Sequence, residues 1–170
     1  MRIQTTREDH RIAWLAALAI TIHIAESALP SPLPGIKPGF ANVITVITLL
    51  TFGWRTAVWV NLLRVLAGSL LIGSFLTPTF MLSLSGALAS LCVLGLATRL
   101  RGHGFGPMGY SLLAAQAHMA GQFAAAYGLF IPNAVLFNLL PPLMTAALLF
   151  GLVSGTIAGA MLQSMTYRPA

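Results

Sequence analysis

Acidic residues and cysteine are scarce in this chain. Its 170 residues include three Asp or Glu residues against nine Lys or Arg, and a single cysteine, Cys92. One cysteine excludes an internal disulfide and a metal site built from several thiolates. One aspartate, Asp9, excludes the clustered carboxylates with which metal-dependent prenyl transferases hold magnesium. The phosphate loop of P-loop ATPases and the Gly-x-Ser-x-Gly nucleophile turn are missing as well, so we expect no enzyme.

Charge of either sign is also rare, and apolar residues dominate. Hydrophobic residues make up 57% of the chain and charged residues 7%, with a mean hydropathy of +0.86. A soluble domain of this size cannot bury that much apolar surface. The composition therefore predicts a single all-α integral membrane domain over residues 1–170, with a polar N-terminus (1–10) and a helical bundle (11–165).

Six apolar segments fit the length of a membrane span, which needs about 20 residues. Pro141 and Pro142 must kink or break the last of them, because proline removes a helical hydrogen bond. Residues 133–140 are therefore a candidate separate half-helix. The predicted spans are residues 11–29, 39–52, 56–76, 79–98, 107–130 and 133–163.

The basic residues are divided unequally between the two ends of these spans. With a cytoplasmic N-terminus, seven arginines fall inside, only Lys37 falls outside, and Arg64 lies within a span. This bias predicts that both termini are cytoplasmic and that the first apolar segment is a retained span, not a cleaved signal peptide. The inside residues are Arg2, Arg7, Arg11, Arg55, Arg99, Arg101 and Arg168.

His23 and Glu26 are the first candidate site residues. They are three positions apart, so they share a helix face near the outer end of the first span. A proline-rich segment with Lys37 follows them, and then Asn42. The pair either holds this segment to the helix or lines a substrate pocket beneath it. Two ligands do not make a metal site, which needs three or four, so we expect no metal or other cofactor.

Arg64 lies inside the third predicted span. Nine residues, or about 13 Å of helix, separate it from Arg55 at the cytoplasmic end. Its side chain either extends toward that end or pairs with Glu26 in the bundle, and an intramembrane arginine is a functional-site candidate. Asn61 shares its face.

His118 and Gln122 form a further polar pair, four residues apart on one helix face. Each residue alone is explained by hydrogen bonding between helices. A common interior location for the polar candidates would favour a substrate pocket. That set is His23, Glu26, Lys37, Asn42, Asn61, Arg64, His118 and Gln122.

Small residues recur at four-residue spacing, which lets helices pack closely. We expect most such ridges to pack inside the bundle, whereas one facing lipid is a docking surface. The ridges are Gly151–Gly155–Gly159, Ala117–Gly121–Ala125 and Ala13–Ala17.

Four segments resemble a known family. HIAESALPSPLPGIKPGFANVITV, LLRVLAGSLLIGSF, SLSGALASL and AHMAGQ are similar to the bacterial Gx transporter family, also described as heptaprenyl diphosphate synthase component I. That family is related to the substrate-binding S components of energy-coupling-factor transporters. The resemblance runs from about residue 12 to residue 163. It implies a six-helix S-component fold in the bacterial inner membrane, with residues 29–38 capping an outward-facing pocket. Ala13 and Ala17 match the alanine pair with which S components dock their coupling protein.

The resemblance and the polar set together predict a subunit that binds a small vitamin-like or isoprenoid-related molecule. The excess of cationic candidates predicts a carboxylate or phosphate on this molecule. Separate coupling and ATPase proteins would energise uptake, because the chain has no energy-converting motif. One alternative is a non-catalytic membrane partner of a polyprenyl diphosphate synthase in quinone biosynthesis. Another is a stand-alone transporter that works as an oligomer.

Overall fold

A computed structural model describes residues 6–28, 41–100 and 105–166. All the regular elements in these ranges are helical, which confirms the all-α prediction. The helices are α1 (Arg7–Ala28), α2 (Ala41–Phe52), α3 (Trp54–Ile72), α4 (Pro78–Arg99), α5 (Pro107–Ala125) and α6 (Leu140–Thr166). A π-helical turn, Ala126–Phe130, follows α5, and a 3₁₀ helix, Ala134–Leu139, precedes α6.

Three described helical stretches are long and apolar enough to cross a membrane: α3, α4 and the combined 3₁₀ helix and α6. The chain is therefore a membrane protein. Helix α2 is apolar but has only 12 residues, about 18 Å of helix, which is shorter than the hydrocarbon core of a bilayer.

Turns between helices follow from residues that tolerate unusual backbone angles. Gly53 links α2 to α3 at φ 87°, and Gly73 ends α3 at φ 75°. Both angles lie in the region where a side chain is strained and glycine is not. The Thr77 hydroxyl accepts a hydrogen bond from the Phe80 N–H, and Pro78 occupies the first turn of α4. These turns reverse the chain between α2 and α3 and between α3 and α4, because residues at opposite ends of these helices share apolar clusters.

Pro141 and Pro142 lie in the first turn of α6, at the change from 3₁₀ to α geometry. The first N–H groups of a helix have no intrahelical partner, so proline is tolerated there. The two prolines thus mark a change of helix type and not a gap in the last predicted span. Of the candidate half-helix 133–140, Ala134–Leu139 form a 3₁₀ helix that passes directly into α6 at Leu140.

Helix α2 occupies the centre of the bundle and contacts α1, α3, α5 and α6. Every residue from Val43 to Leu49 is buried. Its apolar side chains divide between two clusters. Leu49 packs in one with Ala57 of α3 and Leu94 of α4, and Ile44 packs in the other with Val60 of α3 and Ala19 of α1. We call the end of the bundle where α1, α3 and α5 finish the distal end, and the opposite end the proximal end.

Small residues set the spacing between α4, α5 and α6, which we call the α4–α5–α6 seam. A Cβ added to Gly121 would lie 2.6 Å from the Ala89 Cβ and 2.7 Å from the Ser85 carbonyl oxygen. One added to Gly155 would lie 2.9 Å from the Met108 Cα. Gly121 and Gly155 thus pack internally, as predicted for most of these ridges, because only glycine permits this approach. Gly159, the last residue of its ridge, has no atom within 4 Å of an added Cβ and lines an open groove.

Candidate functional site

Glu26 and Arg64 are the two charged groups buried in the described bundle. Their side chains are 5% and 6% exposed, on α1 and α3, and Glu26 interacts electrostatically with the Arg64 guanidinium. A buried charge is stable only when an opposite charge or hydrogen bonds compensate its lost hydration. The Arg64 side chain was predicted either to extend toward Arg55 or to pair with Glu26, and in the structure it lies in the bundle near Glu26.

His23 brings α1 against α3 beside this pair. A Cβ added to Gly68, one turn after Arg64, would lie 3.0 Å from the His23 Cδ2. The imidazole therefore occupies the space that glycine leaves on α3. The same helix face carries Glu26 one turn later, so the shared face predicted for His23 and Glu26 is turned toward α3.

His118 and Gln122 approach the same region from α5. Gln122 Nε2 donates to His118 Nε2 across 3.2 Å. Both side chains pack against Gly86 of α4. A Cβ added to Gly86 would lie 2.8 Å from Gln122 Cγ and 2.9 Å from His118 Cε1. His118 also interacts electrostatically with Arg64 and His23. We call His23, Glu26, Arg64, His118 and Gln122 the distal cluster.

Asn61 lies one turn closer to the proximal end than Arg64. It is 1% exposed, and neither atom of its side-chain amide has a hydrogen-bond partner. The Arg64 Nε also has none. Such groups cost free energy when they stay unsatisfied, so unpaired atoms at a buried position indicate a place for a ligand or for water.

Asn42 is half-buried in the first turn of α2. Helices α2 and α3 run antiparallel, with Leu49 and Ala57 in one apolar cluster and Ile44 and Val60 in another. Extending this register by two turns places Asn42 at the level of Arg64. Lys37 and the capping segment 29–38 lie outside the described residues.

Ala13 and Ala17 are both exposed on α1. They share their face with Trp14 and Leu18, which are 78% and 47% exposed. The pair is thus available to lipid or to a partner, and its docking role stays a prediction. In the part of the chain that the structure describes, no three His, Cys, Asp or Glu residues are grouped as metal ligands would be.

Sequence reasoning missed the glycines that position the distal cluster. Because Gly68 and Gly86 have no side chain, His23 and His118 can pack against their backbones. The sequence signal for this was only a glycine on a polar helix face. It also missed three buried hydroxyls with no hydrogen-bond partner, on Thr45, Thr48 and Ser90. No local pattern distinguishes these from the Ser and Thr residues that bond to their own helix.

The structure thus brings five of the eight predicted polar residues into one cluster, with Asn61 directly beneath it. Whether they bind substrate stays a prediction. An open groove of about 1220 Å³, lined by Met108, Gly159 and Gln163 among others, lies elsewhere, at the proximal end between α5 and α6.

Comparison with known proteins gives one match. A family model described as heptaprenyl diphosphate synthase component I matches residues 15–161, which is most of the chain and includes every described residue of the distal cluster. No curated protein and no solved structure matches the sequence.

Proposed function

The chain belongs to the heptaprenyl diphosphate synthase component I family, and we propose that it is a non-catalytic membrane subunit that binds a small amphipathic molecule within its bundle. The observation that carries this proposal is the convergence of Glu26 and Arg64 with His23, His118 and Gln122 from three helices. Ionisable residues inside a membrane are costly, and those that persist commonly mark a ligand path or site.

The distal cluster suits a ligand that has a polar end and an apolar body. Its charged and ring atoms lie at the distal end, whereas apolar clusters fill much of the remaining described interior. We propose capture of a vitamin-like or isoprenoid-related molecule at this end, in the manner of an S component. Separate coupling and ATPase proteins supply the energy for release on the other side.

We infer the orientation of this subunit from its exposed arginines. Arg7 and Arg11 lie near the start of α1, Arg55 near the start of α3 and Arg99 at the end of α4. All four are at the proximal end, and cytoplasmic ends of membrane helices carry such an excess of basic residues. We propose a six-span bundle in a bacterial inner membrane, with the proximal end and both termini in the cytoplasm.

A second candidate function is favoured by the family description. Component I of a heptaprenyl diphosphate synthase is by its name one part of a synthase, so this chain is also a candidate membrane partner of a catalytic prenyl synthase subunit. In that role the chain would supply no carboxylate cluster for magnesium. Asp9 and Glu8 are exposed near the N-terminus, and Glu26 is buried beside Arg64.

Ligand binding is tested on the protein purified from its own membranes. Native mass spectrometry is expected to detect a retained small molecule, and Glu26→Gln is expected to reduce its occupancy. Glu8→Gln removes an exposed carboxylate from the same helix and serves as the matched control. Equal occupancy in the natural chain and Glu26→Gln, or no retained molecule in either, would contradict the proposal.

Partner proteins decide between the two roles. Affinity purification that recovers ATPase and coupling subunits supports uptake, and recovery of a prenyl synthase subunit supports the second candidate. The exposed Ala13–Ala17 face is the proposed contact in the first case. Replacing both residues with leucine is then expected to lower recovery of the coupling subunit, while the same change at the exposed pair Ala120 and Ala124 on α5 leaves it unchanged.

A further inference from the structure

Thr45, Thr48, Asn61 and Ser90 lie in one layer, beneath the distal cluster, which we call the inner layer. Asn61 is four residues from both Ala57 and Val65 on α3. Ala57 packs in one apolar cluster with Leu94 of α4, and Val65 packs in another with Ala87 of α4. On α4, Ser90 lies between Leu94 and Ala87, at the level of Asn61.

Helix α2 completes this layer. Thr45 is four residues before Leu49, which clusters with Ala57 of α3. Thr48 is four residues after Ile44, which clusters with Val60 of α3. Since positions four apart share a helix face, both threonines belong to faces that pack beside α3, with Thr45 level with Asn61 and Thr48 one turn closer to the proximal end.

The hydroxyls of the inner layer differ from others in the same helices. Thr51 on α2 donates to the Ile47 carbonyl at 2.6 Å, and Ser85 on α4 donates to the Met81 carbonyl at 2.8 Å. This is the usual way in which a helix satisfies a buried hydroxyl. The hydroxyls of Thr45, Thr48 and Ser90 are fully buried and bond to nothing, as do both amide atoms of Asn61.

The chemistry of the inner layer selects an uncharged ligand group. Its free atoms are three hydroxyls and one amide, which together donate and accept hydrogen bonds but carry no charge. The nearest positive charge, Arg64, already interacts with Glu26. An anion placed here would lose its hydration with no uncompensated positive charge beside it among the described residues, which is costly in a low-dielectric interior.

We propose that the inner layer is a subsite for an uncharged group that both donates and accepts hydrogen bonds, such as an amide, a hydroxyl or a ring lactam. The proposal rests on the ligand-binding function proposed above and specifies the part of the ligand that reaches deepest. Water fills the layer when the ligand is absent. The charged end of the ligand, if it has one, stays at the distal cluster or beyond it.

Matched probe pairs test this inference on the full chain in lipid nanodiscs. Benzamide and benzoate differ only in the polar group, as do nicotinamide and nicotinate, and thermal protection by each member is compared. Benzamide or nicotinamide is expected to protect better than its carboxylate partner. Ser90→Ala and Thr45→Val are each expected to weaken the affinity of the neutral probe about three- to tenfold, the effect of one hydrogen bond.

Each other outcome overturns the inference. Carboxylates that protect as well as the amides refute the selection of a neutral group, and no protection by either amide refutes the subsite. A higher unfolding temperature of ligand-free Ser90→Ala shows that the hydroxyl was dry. Asn61→Leu removes the largest polar side chain of the inner layer. If Asn61→Leu does not fold, Ser90→Ala still tests the subsite. Native mass spectrometry separates this inference from the proposed function. If the retained molecule is unaffected by the inner-layer substitutions but lost in Glu26→Gln, the subsite is refuted and the proposed function is not.

Discussion

The α4–α5–α6 seam and the inner layer satisfy their polar groups in opposite ways. In the seam, Ser111 donates to the Gly151 carbonyl at 2.9 Å, and Gln116 donates to the Met144 carbonyl at 3.1 Å. In the inner layer, the Asn61 amide and the Ser90 hydroxyl are as deeply buried as Ser111 but have no partner. Both regions join helices of the same bundle, so membrane burial alone does not explain the difference.

This contrast separates residues that hold helices together from residues available to a ligand. A hydrogen bond across the seam pairs two polar groups, so neither is available to a ligand. It also holds together two helices whose backbones glycine allows to approach closely. The unpaired groups of the inner layer join no two helices, and water satisfies them in the empty protein, so they contribute little to its stability. We therefore expect substitutions in the seam to affect stability, and those in the inner layer to affect ligand binding.

The largest effect is expected where the distal cluster is itself structural. Arg64→Met leaves the Glu26 carboxylate buried without its opposite charge, and removing one partner of such a pair costs about 3–5 kcal/mol. The midpoint of thermal unfolding in nanodiscs should fall accordingly. Combining Arg64→Met with Glu26→Gln should recover part of the loss, because the uncompensated charge is removed. Strictly additive losses would show that the two residues act independently.

Gly121→Ala tests how closely the seam is packed. The new methyl group would overlap the Ser85 carbonyl oxygen and the Ala89 Cβ, neither of which can rotate away. Overpacking of this kind costs about 1–3 kcal/mol, reduced by up to about 1 kcal/mol because alanine favours the helix.

Gly159→Ala is the matched control, since a Cβ at that position meets nothing within 4 Å. It should leave the unfolding midpoint unchanged or raise it slightly. A comparable drop in both variants would mean that the loss of stability does not come from the close contact between α4 and α5.

A pair of serine substitutions compares the two regions directly. Ser111→Ala removes the hydrogen bond to Gly151 and should lower the free energy of unfolding by about 1 kcal/mol. Ser90→Ala removes a hydroxyl that has no protein partner and should not lower it. Chemical or thermal unfolding of the ligand-free protein measures both. The contrast between the regions fails if Ser90→Ala is the more destabilising change.

The smallest effect is expected at the N-terminus of α1, outside both regions. Asp9 accepts hydrogen bonds from the Thr6 N–H and hydroxyl, both at 2.8 Å, and these lower the pKa of its carboxyl group. A carboxylate with a lowered pKa stabilises the folded end at neutral pH, and this contribution is lost as pH falls through that pKa.

Amide hydrogen exchange near residues 6–9 should therefore accelerate in acid, relative to the rate expected for the free peptide. Asp9→Asn should remove this pH dependence and leave the distal cluster unaffected, whereas Thr6→Ala keeps the backbone N–H donor and should only weaken it. An unchanged dependence in Asp9→Asn would mean that the Asp9 carboxyl group is not its cause.

Much of the fold was predictable because hydropathy acts locally. Apolar segments and the residues that interrupt them can be read one helix at a time, so the α4 segment was predicted to within one residue at each end. The fifth predicted span ended in a π-helical turn, which has no comparable signal. The shared faces of His23 with Glu26 and of His118 with Gln122 were also predictable, since both follow from helical periodicity.

The sequence by itself determined that the chain is helical and membrane-embedded, where its charges cluster and which polar residues share a helix face. Only the tertiary structure decided that Arg64 lies near Glu26 instead of extending toward Arg55, and that Gly68 and Gly86 receive His23 and His118. It also decided that the inner layer has unpaired atoms. These outcomes depend on the register between helices distant in sequence, which is set by close packing and not by any local pattern.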